Sequence, residues 1–301
     1  MSLPSLDTDT HDSPPRLPYV FQFGSSDPCT QSVLWLHGAT GSHHQFPPLL
    51  PLFPPSKYHH LLLDLPSHGI EVTGDFSYPK ALDQICLAIQ RYAHPGRCHI
   101  VGFSLGGTVA LSLIRNRPQF VEERVGKVFV TGATLVIPRW MGVFFWFGIP
   151  FTRIYLELFR FGWFTHWFET VIGMKWSDPL IQDMKRWNSL SRFFGLGRKA
   201  LDISPVADNG KGEVIDVELC LCLGSKEPMA KRIAQGAGVM RTKVKVCRSY
   251  VALGMAHMWD AQEPGLFVET VERFFEGKGP PTGIVPMEEY YDVQTGRKRK
   301  R

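Results

Sequence analysis

Between residues 19 and 276, short apolar runs alternate with longer helical patterns, and this alternation restricts the fold more than any other feature of the chain. The runs at 19–23, 32–37, 60–64, 98–103, 127–131, 217–223 and 244–251 are β-branched or Leu-rich and no longer than a strand. Helical periodicity fills 78–92, 105–116 and 264–276, and in the last of these Leu266, Val268, Val271, Phe274 and Phe275 fall at core spacing. A chain that alternates in this way folds as an α/β protein, with a mainly parallel sheet covered on both faces by helices.

One stretch breaks the rhythm. Residues 135–209 contain no convincing strand and are crowded with aromatic side chains, Trp140, Phe144, Phe145, Trp146, Phe147, Trp163, Trp167 and Trp176 among them. This reads as a helical insertion. The core is then split into 17–134 and 210–278. Residues 1–16 and 279–301 are polar or punctuated by Pro and Gly, which predicts flexible ends.

The formal net charge of +5 is matched by the five cations at 297–301, so the body of the chain is near neutral. That balance argues against a nucleic-acid-binding surface, and the basic run is either a solvated tail or a nuclear-import signal. The N-terminus has no basic start followed by an apolar stretch, so a cytosolic address is expected, with a nuclear one open through the tail. The most apolar stretch, 143–151, is interrupted by Gly148 and Pro150 and is about half the length of a membrane span. Six cysteines show no CxxC or Cys/His ligand spacing, and Cys98, Cys220, Cys222 and Cys247 lie in apolar runs, as buried free thiols do. Neither a metal nor a disulfide is expected.

Chemistry enters at Gly102-Phe103-Ser104-Leu105-Gly106. A bare G-x-S-x-G is weak evidence, and a serine capping a helix after a strand is the plain alternative. Here the motif joins the apolar run Cys98-His99-Ile100-Val101 to a helical pattern rich in small residues. A serine on such a sharp turn stands clear of the sheet, and glycines flank it because a Cβ there would strike the neighbouring strand or helix.

With these residues in place, the chain from about 19 to 276 resembles the α/β-hydrolase family. The resemblance implies an eight-stranded, mostly parallel sheet, a helical lid inserted after the sixth strand, Ser104 as nucleophile, and no cofactor. His37-Gly38-Ala39-Thr40-Gly41 is similar to the family's oxyanion-hole loop, in which the backbone N–H groups of Ala39 and Leu105 would hold the developing negative oxygen. Asp64-Leu65-Pro66-Ser67-His68-Gly69 resembles the family's D-x-P-G-x-G turn, with Ser67 where glycine is usual. His68 is then a loop residue rather than a second base. His257, after the run at 244–251, matches the family's histidine loop and would serve as general base, since imidazole titrates near neutrality. Glu227, after the run at 217–223, stands where the family carries its acid, usually aspartate. Asp216 lies at the wrong end of that run, and Asp260 is close enough to His257 to suit a helix start.

The implied function is hydrolysis of a carboxylic ester, thioester or lactone of a hydrophobic small molecule through an acyl-enzyme, with Phe103, Trp146 and Met258 lining the substrate site. Arg139, Arg153 and Arg160 could bind a carboxylate or be solvated. Two other outcomes stay open: a carbon–carbon hydrolase, lyase or cyclase using the same triad, and a non-catalytic binding protein of hydrolase ancestry. Oligomeric state is left open.

Overall fold

The computed structural model describes residues 18–39, 41–71, 76–133, 158, 161–172, 178–186, 214–292 and 297–298. Eight strands form one sheet: β1 (Val20–Gly24), β2 (Gln31–Leu36), β3 (Tyr58–Leu63), β4 (Cys98–Phe103), β5 (Val125–Thr131), β6 (Ile215–Gly224), β7 (Val244–Ala252) and β8 (Ile284–Pro286). Their order across the sheet is β1-β3-β2-β4-β5-β6-β7-β8. Strands β3 to β7 run parallel, whereas β1 pairs antiparallel with β3 and β8 pairs antiparallel with β7.

Side-chain alternation assigns the two faces. Leu34, Leu36, Leu61, Leu63, Ile100 and Leu221 point into one buried cluster, and Val33, Trp35, Leu62, Val101, Phe129, Cys220 and Cys222 into the other. The first face is covered by α1 (Tyr78–Tyr92), α2 (Leu105–Asn116), α3 (Pro118–Arg124) and α6 (Ala230–Met240), which bring in Ile85, Ile89, Leu113, Val121 and Ile233. The second is covered by the short α7 (Trp259–Gln262) and by α8 (Pro264–Phe275), through Trp259, Phe267, Val271 and Phe274. Both α1 and α8 begin with Pro in the first turn, where a missing N–H costs nothing, and the Ser77 hydroxyl caps α1 by accepting from the Lys80 amide. The covered parallel sheet expected from the sequence is therefore present, and the helices at 78–92, 105–116 and 264–275 lie where the periodicity placed them.

Two expectations are refined. Five described strands precede the aromatic stretch, so the insertion expected between the runs at 127–131 and 217–223 is numbered here between β5 and β6. Within it the structure describes α4 (Gly162–Ile172) and α5 (Asp178–Arg186). The segment from 279 is also not flexible throughout: β8 and α9 (Met287–Tyr290) pack on β7, with Met287 fully buried and Tyr291 nearly so. An Ile-Val pair between Gly283 and Pro286 is too short a run to read as a strand, yet the hydrogen-bonding edge of β7 accepts it. No described helix is long and apolar enough to cross a membrane.

Candidate active site

The strand order reverses direction beside β2: the chain moves from β2 to β3 on one side and returns to β4 on the other. The loops leaving the carboxyl ends of β2 and β4 therefore diverge and leave a crevice, the usual place for a ligand in an open parallel sheet. His37, Gly38 and Ala39 leave β2 there, and Ser104 leaves β4.

Ser104 has φ 50° and ψ −110°, a left-handed conformation that costs a non-glycine residue about 1–2 kcal/mol. The packing around it allows no relaxed alternative. A Cβ on Gly102 would lie 2.7 Å from Gly107 Cα, and one on Gly106 would lie 2.1 Å from the Leu36 carbonyl oxygen, so β4, α2 and β2 approach at backbone distance. The Ser104 amide donates to Thr131 O and the Gly106 amide to His37 O, fixing the turn against both neighbouring strands. The amides of Ala39 and Leu105, the two expected oxyanion donors, have no acceptor among the described residues.

The carboxyl ends of β6 and β7 supply the other two groups. The β6 loop and the histidine loop are knitted by Ser225 N to Ala252 O, Lys226 N to Met255 O and Gly254 N to Ser225 Oγ. A Cβ on Gly224 would meet the Met255 and Ala256 carbonyl oxygens at 2.4 Å, so only glycine permits this approach. Across it, His257 Nδ1 lies 2.6 Å from Glu227 Oε2. The Glu227 side chain is 2% exposed, and its other oxygen accepts from the Met229 amide. Trp259, fully buried, donates its indole N–H to Thr131 Oγ1 and anchors the histidine loop to β5. The ring of His257 meets Phe103 edge-on, with centroids 5.2 Å apart.

Gly38, Ala39, Gly41, Gln45, Phe103, Ser104, Leu180, His257 and Met258 line one cavity. The structure thus gathers Ser104, His257, Ala39, Phe103 and Met258 there, with Glu227 directly behind the imidazole and Leu105 next in chain to the serine. No hydrogen bond joins Ser104 to His257 among the described contacts, a separation common in unliganded hydrolytic sites. Trp146, Arg139, Arg153 and Arg160 lie outside the described residues. Gln45 and Leu180 were not anticipated from the sequence. Leu180 belongs to α5, which docks on the turn that follows Gly41: Asp183 accepts from the Ser42 hydroxyl at 2.5 Å and lies 2.7 Å from His44 Nδ1.

Three other histidines near the site, His37, His43 and His68, have structural partners. His37 Nε2 accepts from the Leu65 amide, and burial lowers its pKa to about 3. His68 sits between the carbonyl oxygens of Pro66 and Ala39, as a loop residue should. Asp64 lies 2.9 Å from His43 Nδ1 and accepts from the amides of His43 and Ile70, which makes 64–69 a structural turn. Asp216 lies near the start of β6, at the end opposite Glu227, and pairs with Lys245. Among the described residues no group of acids, histidines and cysteines is placed to hold a metal.

Comparison with known proteins agrees with this architecture. The chain is 27% identical over 270 residues to an AB hydrolase superfamily protein of Gibberella zeae, covering 87% of this chain and 86% of that one. Its fold is similar to that of a marine microorganism esterase (TM-score 0.62, 16% identity, 86% of this chain and 99% of that chain). It is also similar to the esterase EaEST from Exiguobacterium antarcticum (TM-score 0.59, 19% identity, 86% and 95%). The family model described as the alpha/beta hydrolase family matches residues 33–270, and the chain belongs to that family.

Proposed function

We propose that the protein is a serine hydrolase that cleaves a carboxylic ester, thioester or lactone of a hydrophobic small molecule. The observation that carries this reading is the 2.6 Å contact between Glu227 and His257 at a cavity that also holds a backbone-strained serine. The buried carboxylate keeps the proton of the ring on Nδ1 and leaves Nε2 free to accept. Nε2 removes the Ser104 proton as Oγ attacks the carbonyl carbon, and the oxygen that becomes negative is held by the Ala39 and Leu105 amides. His257 then gives its proton to the departing alcohol or thiol. A water, deprotonated by the same nitrogen, attacks the acyl-serine and regenerates the hydroxyl.

Phe103, Leu180 and Met258 give the described lining an apolar character, and no cationic side chain lies among them. An apolar acyl group suits that lining better than a sugar or a phosphate. In this reading the aromatic insertion acts as a lid, with α5 supplying Leu180 and resting on Ser42 and His44 through Asp183. A fluorophosphonate probe tests the proposal: it should label wild type at Ser104 and leave Ser104→Ala unlabelled. A panel of p-nitrophenyl esters of rising chain length should be turned over by wild type alone. Absence of both labelling and ester turnover in wild type refutes the reading.

A further inference from the structure

Gln45 closes the 3₁₀ turn His43–Gln45, which follows the oxyanion loop, and its side-chain amide is almost wholly buried. Its Oε1 accepts from the Gly38 amide at 3.1 Å, and its Nε2 donates to Asp260 Oδ2 at 2.8 Å. Asp260 lies in the first turn of α7, three residues beyond His257, and is 3% exposed. One amide thus joins the oxyanion loop to the helix that follows the candidate base, across 215 residues of sequence.

We infer that Gln45 and Asp260 form a positioning pair that holds the Gly38–Ala39 peptide in register with His257. The inference rests on the serine-hydrolase reading and extends it to two residues that touch no reacting atom. The Gly38 amide is next to the Ala39 amide; the carbonyl oxygens of these two residues lie 2.8 Å from His37 Nδ1 and His68 Nε2, so Gln45 supplies the hold on the amide side of this loop. Its inner hydrogen bond runs from Gly41 N to Gly38 O, and a Cβ on Gly41 would stand 3.0 Å from Gln45 Oε1. With Gly38 N–H bound to Gln45, the next donor along the chain is Ala39 N–H. The Gln45 amide spends its oxygen on Gly38 and donates to Asp260, so its place on the cavity wall makes it a brace rather than a substrate contact.

Asp260 fits this task. Its Oδ1 is buried without a hydrogen-bond partner, and burial raises its pKa, opposed in part by the Gln45 hydrogen bond and by His257, the nearby titratable group. What the pair needs from Asp260 is an oxygen that accepts from the Gln45 amide, and Oδ2 does so at 2.8 Å. Asparagine would offer the same oxygen, and alanine would not.

The test compares Gln45→Met, Asp260→Ala and Asp260→Asn in the full chain, using p-nitrophenyl ester kinetics and hydrogen exchange at the Gly38 amide. Loss of oxyanion alignment should lower kcat about 10- to 100-fold in Gln45→Met and Asp260→Ala while leaving KM within about twofold, since the contact matters chiefly in the transition state. Asp260→Asn should recover most of what Asp260→Ala loses. Exchange at Gly38 should accelerate in Gln45→Met, a readout that needs no activity. Wild-type kcat in Gln45→Met, a rise in KM alone, or unchanged Gly38 exchange overturns the inference. Failure of wild type to label with fluorophosphonate overturns the hydrolase reading instead.

Discussion

His257 Nδ1 and Glu227 Oε2 are 2.6 Å apart, and the carboxylate is almost wholly buried behind a partly exposed ring. With Oε1 held by the Met229 amide and Oε2 turned to the imidazole, this glutamate is the most informative residue to change. Glu227→Gln can hold the ring but donates where it should accept, favouring the wrong tautomer. Ester turnover should fall by about 10²–10⁴-fold with little change in KM, and Ser104→Ala should lose at least as much. Steady-state kinetics of the two variants check this, and near-wild-type turnover by Glu227→Gln would show that the acid lies elsewhere.

Gly132 is a second control point. It has φ +62°, and a Cβ there would lie 2.8 Å from His257 Cε1 and 3.0 Å from Nδ1. Gly132→Ala should displace the imidazole from Glu227 and reduce kcat by about 10-fold or more, with a stability cost of about 1–2 kcal/mol from the left-handed backbone. Kinetics and thermal melts read the two effects separately. An alanine variant that keeps full activity would mean that the ring has room to move without penalty.

Acid should destabilise the fold through its buried histidines. The Trp35 indole donates to His60 Nδ1, the Lys127 amide donates to His99 Nδ1, and the Leu65 amide donates to His37 Nε2, so each ring is held as an acceptor in the neutral state. Burial accordingly lowers the pKa of His60 and His99 to about 4 and that of His37 to about 3. The unfolded chain binds these protons near pH 6.5 and the folded chain does not. Their contribution is therefore complete above pH 6.5 and is lost as pH falls from there toward 4 and below. Urea melts between pH 7.5 and 4.5 should show stability decreasing by a few kcal/mol, on the order of one to two per histidine. A flat profile would contradict the neutral, buried assignment.

Ser67 also has a left-handed backbone, at φ 61°, in the turn that wraps Asp64. Relief of that strain by Ser67→Gly opposes the greater freedom of glycine in the unfolded chain. The variant should be as stable as wild type or up to about 1 kcal/mol more so, measured by denaturant midpoint. A clear loss would show that the buried Ser67 side chain contributes packing that outweighs the strain.

The sheet and its covering helices were legible because buried parallel strands leave compact apolar runs, and α1, α2 and α8 carry a clear helical period. The turn at Ser104 was legible because its glycines are demanded by backbone contacts: the positions flanking the serine have no space for a Cβ. Glu227 and His257 could be located because each follows a strand end. Three features left no local trace. The Ile284–Pro286 strand is set by the edge it joins rather than by its own composition. The Gln45–Asp260 bond joins two polar residues that read locally as a turn and a helix start. The docking of Asp183 on Ser42 and His44 depends on where the insertion settles, which its aromatic composition does not encode.

The antiparallel pairing of β8 with β7 has one more consequence. Without residues 284–286, the backbone groups of Tyr250–Ala252 that point away from β6 would be left without strand partners. Such a border recruits a strand from another molecule. The short C-terminal hook therefore guards the protein against sticking to itself, and trimming it should yield oligomers before it yields an unfolded chain.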